Sequence, residues 1–421
     1  MGIGKAIYNE RKKIGMKQIY LCKDICTPSY LSKIENETVI PSEEILLLLL
    51  KKLGREDLLL ITNEDSTIEN TEILKNYYKD AILSKNRETT QAIINNLKEN
   101  EAHYIQTNYY LYSLICLRLA IMQHNSVNHN LYTQLNLLQK DKEKMDDYSS
   151  FLLNLVEVIF YYHHSEIYKA IEIVEKMSRD MTLFKDVEEW EIADYYYIQA
   201  IVYAKNKQYV LSLQSIKKTI NFFSHNLYIK NLIDCYILLG VIYKNNSSYQ
   251  KAADTYQIAL DYCLQNNYVE KTGIIYHNLA SLYRKQEKYE QSINCYKESI
   301  VSKSELFDIT FSMVDLIELF IRLKMKSEVI NWTCKGINLI DDSNFKSENK
   351  YYYIFNLYFQ FYSGDKKWEK TGELLLNYLK ENGEDEEFNK YSYILAECYY
   401  KIKKYKKACD LYRKNNLEVI L

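Results

Sequence analysis

The feature that most constrains this chain is a pattern that recurs along it. Residues 239–259 read Leu239-Gly240-x-x-Tyr243, followed by Tyr249, Ala252, Tyr256 and Ala259. About forty residues later come Leu279-Ala280-x-x-Tyr283, then Tyr289, Ser292, Tyr296 and Ser299. Earlier lie Ala200-x-x-Tyr203, Tyr209 and Ser212, and near the C-terminus Leu395-Ala396-x-x-Tyr399, Tyr405, Ala408 and Tyr412. Weaker copies centre on Val158/Tyr161/Ala170, Ile317/Phe320 and Phe359/Tyr362. Small residues at one register let two helices touch, and aromatics at another fill the space between helix pairs. Each pair can bury its aromatic face only against a neighbour, so the pattern predicts an all-α, right-handed solenoid of helical hairpins. First helices would line its concave surface.

Composition supports long helices. The only prolines are Pro28 and Pro41, and everything after Pro41 runs without one,. Nine cysteines are scattered with no C-x-x-C pair, which argues against a zinc ribbon or a disulfide framework and for reduced thiols in the cytoplasm,. Leu46–Leu50 is far too short to span a bilayer, and no apolar leader precedes it,. Gly-rich phosphate loops and Ser-His-Asp or Cys-His groupings with supporting context are not found, and the adjacent His163 and His164 point to different helix faces. Neither a catalytic centre, nor a metal, nor a cofactor is expected.

The net charge of −2 conceals an asymmetry: residues 1–55 hold ten Lys/Arg and six Asp/Glu, about +4, leaving about −6 for the rest. A basic head on an acidic body suits a small DNA-contacting module. Ile3 to Lys13 reads as a helix broken at Gly15, and Lys17 to Cys22 as a second, short one. After a tight connection at Asp24–Cys26, Thr27 is a helix N-cap and Pro28 the first residue of the helix SYLSKIEN. Pro41-Ser42 opens another, with Ile45, Leu46, Leu49, Leu50 and Leu53 as its apolar side.

The run from Ile3 to Gly54 resembles the Cro/repressor-type helix-turn-helix over about fifty residues, because turn, recognition helix and following helix fall at that family's spacing. The resemblance implies major-groove binding by the second helix of the motif. It places Gln18 where the family contacts a phosphate, and Thr27, Ser29, Tyr30 and Lys33 on or at the recognition helix. Leu31 and Ile34 are expected in the core and Glu35 as a local structural partner. Thr27-Pro28 departs from relatives that carry a larger polar pair there.

The recurring pattern resembles the tetratricopeptide repeat, with a spacing of roughly 37–42 residues against 34 for the standard unit,. Domain limits read as 1–58 for the head, 59–72 for an acidic linker and 73–421 for the repeats. A helix-turn-helix on such an array resembles the peptide-pheromone-responsive regulators of Gram-positive bacteria, the Rgg/Rap/NprR/PlcR/PrgX group. That resemblance implies a DNA-binding transcription regulator controlled by a short imported oligopeptide in the concave groove. It also implies a palindromic operator on double-stranded DNA and a homo-oligomer, dimer or higher.

Family members clamp the peptide backbone with side-chain amides on the inner helices, since an amide can both donate to and accept from a peptide unit. The matching position, two before the small residue of the repeat, is Asn278. Counting inner-face positions adds Tyr197, Asp234, Lys244, His277, Ser281, Arg284, Asn356 and Gln360, with Arg284 and Lys244 suited to a peptide carboxylate. An alternative from the Rap-like branch is a phosphatase or sequestering partner of a response regulator, for which Gln91 is the conceivable water-positioning amide.

Overall fold

The computed structural model describes residues 3–59, 64–124, 129–342 and 349–417. Among these every regular element is helical. The chain divides into two compact units, Met1–Asn246 and Ser247–Leu421.

The first unit opens with the head: α1 (Ile3–Lys13), α2 (Gln18–Leu21), α3 (Pro28–Glu35) and α4 (Glu43–Leu53), then a 3-10 turn at Glu56–Leu59. Thr27 caps its helix as expected, and Ser42, at the start read from Pro41-Ser42, proves to be a cap as well. Thr27 Oγ1 accepts from the Tyr30 amide at 3.2 Å ahead of Pro28, and Ser42 Oγ accepts from the Ile45 amide at 3.4 Å. Gly4 is where α1 crosses α3: a Cβ there would lie 1.9 Å from the Ile34 carbonyl oxygen. Leu21, Leu31, Ile34, Leu49 and Leu50 are fully buried beneath this crossing.

Next come α5 (Glu64–Ser84), α6 (Arg87–Glu99), α7 (Glu101–His124), α8 (His129–Lys140), α9 (Asp147–His163), α10 (Ile167–Arg179), α11 (Glu189–Lys205), α12 (Tyr209–His225) and α13 (Ile229–Asn245). Here the sequence expectation needs correction: the stretch read as linker, 59–72, is helical from Glu64 onward. Its run of acidic and hydroxyl residues had suggested a loop. The structure instead has a helix of 21 residues that begins at Glu64. Asn70, near the start of this helix, is already buried, and beyond it Leu74, Tyr78 and Ala81 form a fully buried stripe.

The second unit holds α14 (Tyr249–Gln265), α15 (Val269–Lys285), α16 (Tyr289–Val301), α17 (Leu306–Arg322), α18 (Lys326–Asp341), α19 (Lys350–Ser363), α20 (Trp368–Glu381), α21 (Asp385–Lys401) and α22 (Tyr405–Leu417). The repeat is visible in the bonds as well as the boundaries. In the α11/α12 hairpin Ser212 Oγ donates to the Ala200 carbonyl at 2.7 Å and Thr219 Oγ1 to that of Ala193 at 3.2 Å. In the α15/α16 hairpin Ser292 donates to Ala280 at 2.8 Å and Ser299 to Gly273 at 2.7 Å. The second set is the first translated by eighty residues, two repeats. The small residues expected where paired helices touch thus also tie them together. Tyr256 and Tyr296, the aromatics of the pattern, are 0% exposed.

Most helix-to-helix turns here use a non-glycine residue at positive φ: Lys207 at 61°, Leu227 at 56°, Asn267 at 57° and Glu287 at 59°. The residue after each closes a Schellman motif, as in Gln208 N–H to Tyr203 O at 2.9 Å and Tyr228 N–H to Phe223 O at 3.1 Å,. An L-residue pays about 1–2 kcal/mol for that conformation, whereas glycine pays mainly in unfolded-state entropy of about 0.5–1 kcal/mol. Leu227 is also 75% exposed. Leu227→Gly is therefore expected to stabilise the first unit by about 0.5–1 kcal/mol, read as a higher urea midpoint. A lower midpoint would show that the leucine side chain contributes packing there.

Candidate functional site

The head presents one surface. Within α3, Leu31, Ile34 and Glu35 are buried, while Ser29 and Lys33 are exposed and Tyr30 is half-buried. Spacing 31/34/35 against 29/30/33 is what a helix anchored on one side requires. Beneath it, Glu35 receives Arg11 through two bonds, Nε at 2.6 Å and a terminal nitrogen at 2.8 Å, and the Gln18 amide at 2.7 Å. Arg11 also donates to the Met16 carbonyl at 2.8 Å. Glu35 is thus a structural partner, as expected. Gln18 sits at the start of α2, as expected, and one hydrogen of its amide goes to Glu35, which leaves the second for a phosphate. Thr27 uses its oxygen as the cap. Ser29 and Lys33 are exposed on the outer side of α3, with Tyr30 half-buried beside them.

The second cluster lies on α15 and α17 in the second unit. Ile274, His277, Asn278, Ser281 and Arg284 follow helical spacing along α15, and all but the exposed Ile274 are half-buried. Asn278 donates one amide hydrogen to the Ile274 carbonyl at 3.0 Å, which leaves its oxygen and second hydrogen for a peptide unit,. From α17, Phe311 stacks on His277 with ring centres 4.9 Å apart, and Phe307 meets Tyr351 edge-on at 5.3 Å. Phe307 and Phe311 are 59% and 43% exposed, two open aromatic rings on α17.

Asp315 binds this face together. Its carboxylate lies 3.4 Å from His277 Nε2 and 3.8 Å from Arg284, and it accepts from the Tyr296 hydroxyl at 3.3 Å. His277 Nδ1 is 3.0 Å from the buried Ser312 hydroxyl, which also receives Lys303 at 2.7 Å. Burial pulls the Lys303 ammonium below its usual range, with Asp308 and Asp315 opposing the shift. One end of the face is apolar and the other charged, with an amide between.

Sequence reasoning missed Asp315, Phe311 and Phe307. The signal was present. The copies at Ala280/Tyr283 and Ile317/Phe320 are 37 residues apart, so Asp315 occupies the register of Asn278 and Phe311 that of Ile274.

Other expected groove residues are placed differently. Tyr197 and Asp234 face the end of α5: Lys85 lies 3.6 Å from Asp234 and 5.6 Å from the Tyr197 ring centre, and Asn231 donates to the Ile82 carbonyl at 3.2 Å. A helix N-terminal to the repeats thus meets that face. Lys244, near the end of α13, is 9% exposed. Gln360 accepts from Thr371 on α20 at 2.7 Å, so it serves its own hairpin. Asn356 donates to the Tyr352 carbonyl at 2.9 Å and remains half-buried, as Asn278 does. Arg284 already has Asp315 as a counter-charge. In the first unit Gln91, the conceivable water-positioning amide, donates to Asn95 at 3.0 Å and accepts from Gln123 at 2.9 Å.

Comparison with known proteins agrees with this division. The helix-turn-helix family model matches residues 7–60 and a tetratricopeptide repeat model residues 232–300. The transcriptional activator NprA of Geobacillus stearothermophilus is 29% identical over 208 residues, 49% of this chain and 47% of that protein. The match therefore spans about half the length of that curated relative. Among solved structures, a Rap protein complexed with competence and sporulation factor aligns with a TM-score of 0.59 at 15% identity, over 84% of this chain and 97% of that one. The apo quorum sensor NprR from B. thuringiensis aligns with a TM-score of 0.59 at 18% identity, over 84% and 99%. NprR in complex with its cognate peptide NprX aligns with a TM-score of 0.53 at 16% identity, over 84% and 98%. Identities this low speak for a shared fold.

Proposed function

We propose that this chain, which joins a helix-turn-helix head to tetratricopeptide repeats, is a DNA-binding transcription regulator controlled by a short peptide. The observation that carries the reading is α3: a capped, anchored helix that exposes Ser29 and Lys33, with Tyr30 half-buried beside them, on a head of net positive charge. Such a helix reads few base pairs, so a two-fold dimer on a palindromic operator is the economical arrangement. The protein would act in the cytoplasm, and among the described residues no helix is long and apolar enough to cross a membrane.

For the peptide, support comes from the α15/α17 face. Asn278 offers a main-chain clamp, Phe307, Phe311 and Ile274 offer an apolar contact, and Asp315 with Arg284 and His277 offers charge recognition. The regulator reading is favoured over the phosphatase because the head carries a capped helix with exposed polar side chains.

Two measurements test the proposal. Lys33→Ala and Tyr30→Ala should each weaken binding to a selected operator by about tenfold or more, a loss of about 1–3 kcal/mol for a base contact. The melting curve should stay unchanged. Full operator affinity in both variants would refute α3 as the reading surface. Asn278→Ala should cost about 1–2 kcal/mol of peptide affinity by calorimetry, the worth of a hydrogen bond left unmade. Undiminished affinity would remove Asn278 from the site.

A further inference from the structure

The first helix of the head is enclosed from two directions. One side packs on α3 at Gly4. On the other, Lys5 forms an ion pair with Asp141, the residue after α8, and these two side chains are 7% and 8% exposed. At the far end of α1, Arg55 lies 2.8 Å from Glu10 and 3.4 Å from Glu101, the first residue of α7, and Lys13 lies 3.9 Å from Glu101. Asn9, between these contacts, is 1% exposed. The Lys5–Asp141 pair is buried, so it is weakly screened by salt, whereas Lys13 and Glu101 are each about a third exposed. The same helix carries Arg11, which holds Glu35 of α3, and Glu35 holds Gln18 of α2. Separate charge contacts therefore tie α1 to α7 and to the residue after α8 on one side and, through Arg11, to Glu35 of α3 on the other.

The geometry points to Asp141 and Glu101, both outside the head, as positioning residues that fix the orientation of the recognition helix on the helices behind it and thereby set the half-site spacing of the operator. This rests on the reading of the protein as a dimeric DNA-binding regulator. One added base pair moves the second half-site by about 3.4 Å and turns it by about a tenth of a helical turn. A loosely tethered head can follow that displacement and a clamped one cannot.

The test uses the full chain, the double variant Asp141→Asn/Glu101→Gln and the charge swap Lys5→Asp/Asp141→Lys. Each is used to select from a random duplex DNA pool, and the spacings between recovered half-sites are compared. The parent is expected to recover one spacing and the double variant the same half-site sequence over several spacings. The swap should narrow the distribution again. Identical single spacings for parent and double variant, or several spacings from the parent itself, would overturn the inference. Hydrogen exchange of residues 3–59, measured without DNA, separates this from the underlying reading. The double variant should exchange about tenfold faster in α1, and unchanged rates overturn the clamp whatever the DNA result. If α1 loosens but no protein enriches any motif, the DNA-binding reading fails and takes the spacing role with it.

Discussion

Replacing Glu35 by alanine is expected to unfold the head and abolish operator binding while the repeats keep their helical signal. Glu35 and Arg11 are 2% and 3% exposed, and their paired bonds span 24 residues of sequence. Removing the carboxylate leaves a guanidinium enclosed with only the Met16 carbonyl, and the Gln18 amide loses its acceptor. Breaking a buried pair from one side costs about 3–5 kcal/mol, a large share of the total of about 5–15 kcal/mol that holds a domain together. Circular dichroism melts with an operator titration would show it. A shift of only a degree or two would mean that Arg11 finds water once its partner is gone. Glu35→Gln keeps an acceptor and should fall between the two.

Phe355→Ala is expected to be comparably severe in the second unit. Phe355 is 0% exposed on α19, and its ring lies where a Cβ on Gly336 of α18 would come within 2.6–2.8 Å of three ring atoms. The ring thus lies against bare backbone and fills the junction of two helices. Truncating it should cost about 3–5 kcal/mol. Gly336→Ala probes the same contact from the other side and should cost about 1–3 kcal/mol, since the ring must move to admit the methyl. Urea denaturation reads both. A loss under about 1 kcal/mol for Phe355→Ala would mean that the helices close over the cavity.

What was legible in the sequence was whatever depends on neighbours in the chain. Thr27-Pro28 and Ser42 announced their helix starts because capping is a matter of three or four residues. The tyrosine and small-residue pattern announced the hairpins because it repeats. The start of α5 was misread because an acidic run is equally compatible with a solvated loop and with a helix N-terminus, and the buried stripe that decides between them lies further on. Contacts distant in sequence were not visible. Nothing local says that Lys85 meets Asp234 or that the Gln18 amide turns inward to Glu35. Asp315 was a different case: the rule that picked out Asn278 picks it out too, once applied to the next repeat.

The hydroxyl-to-carbonyl ties within the hairpins bear on how freely such an array can drift. Ser212 and Ser292 stand where another copy has Ala252, so the position specifies a volume and merely tolerates a bond. Serine and alanine both satisfy it. A chain built from such lax requirements can change most of its letters over generations and keep its shape. That accounts for copies within this protein that share a metre and few words.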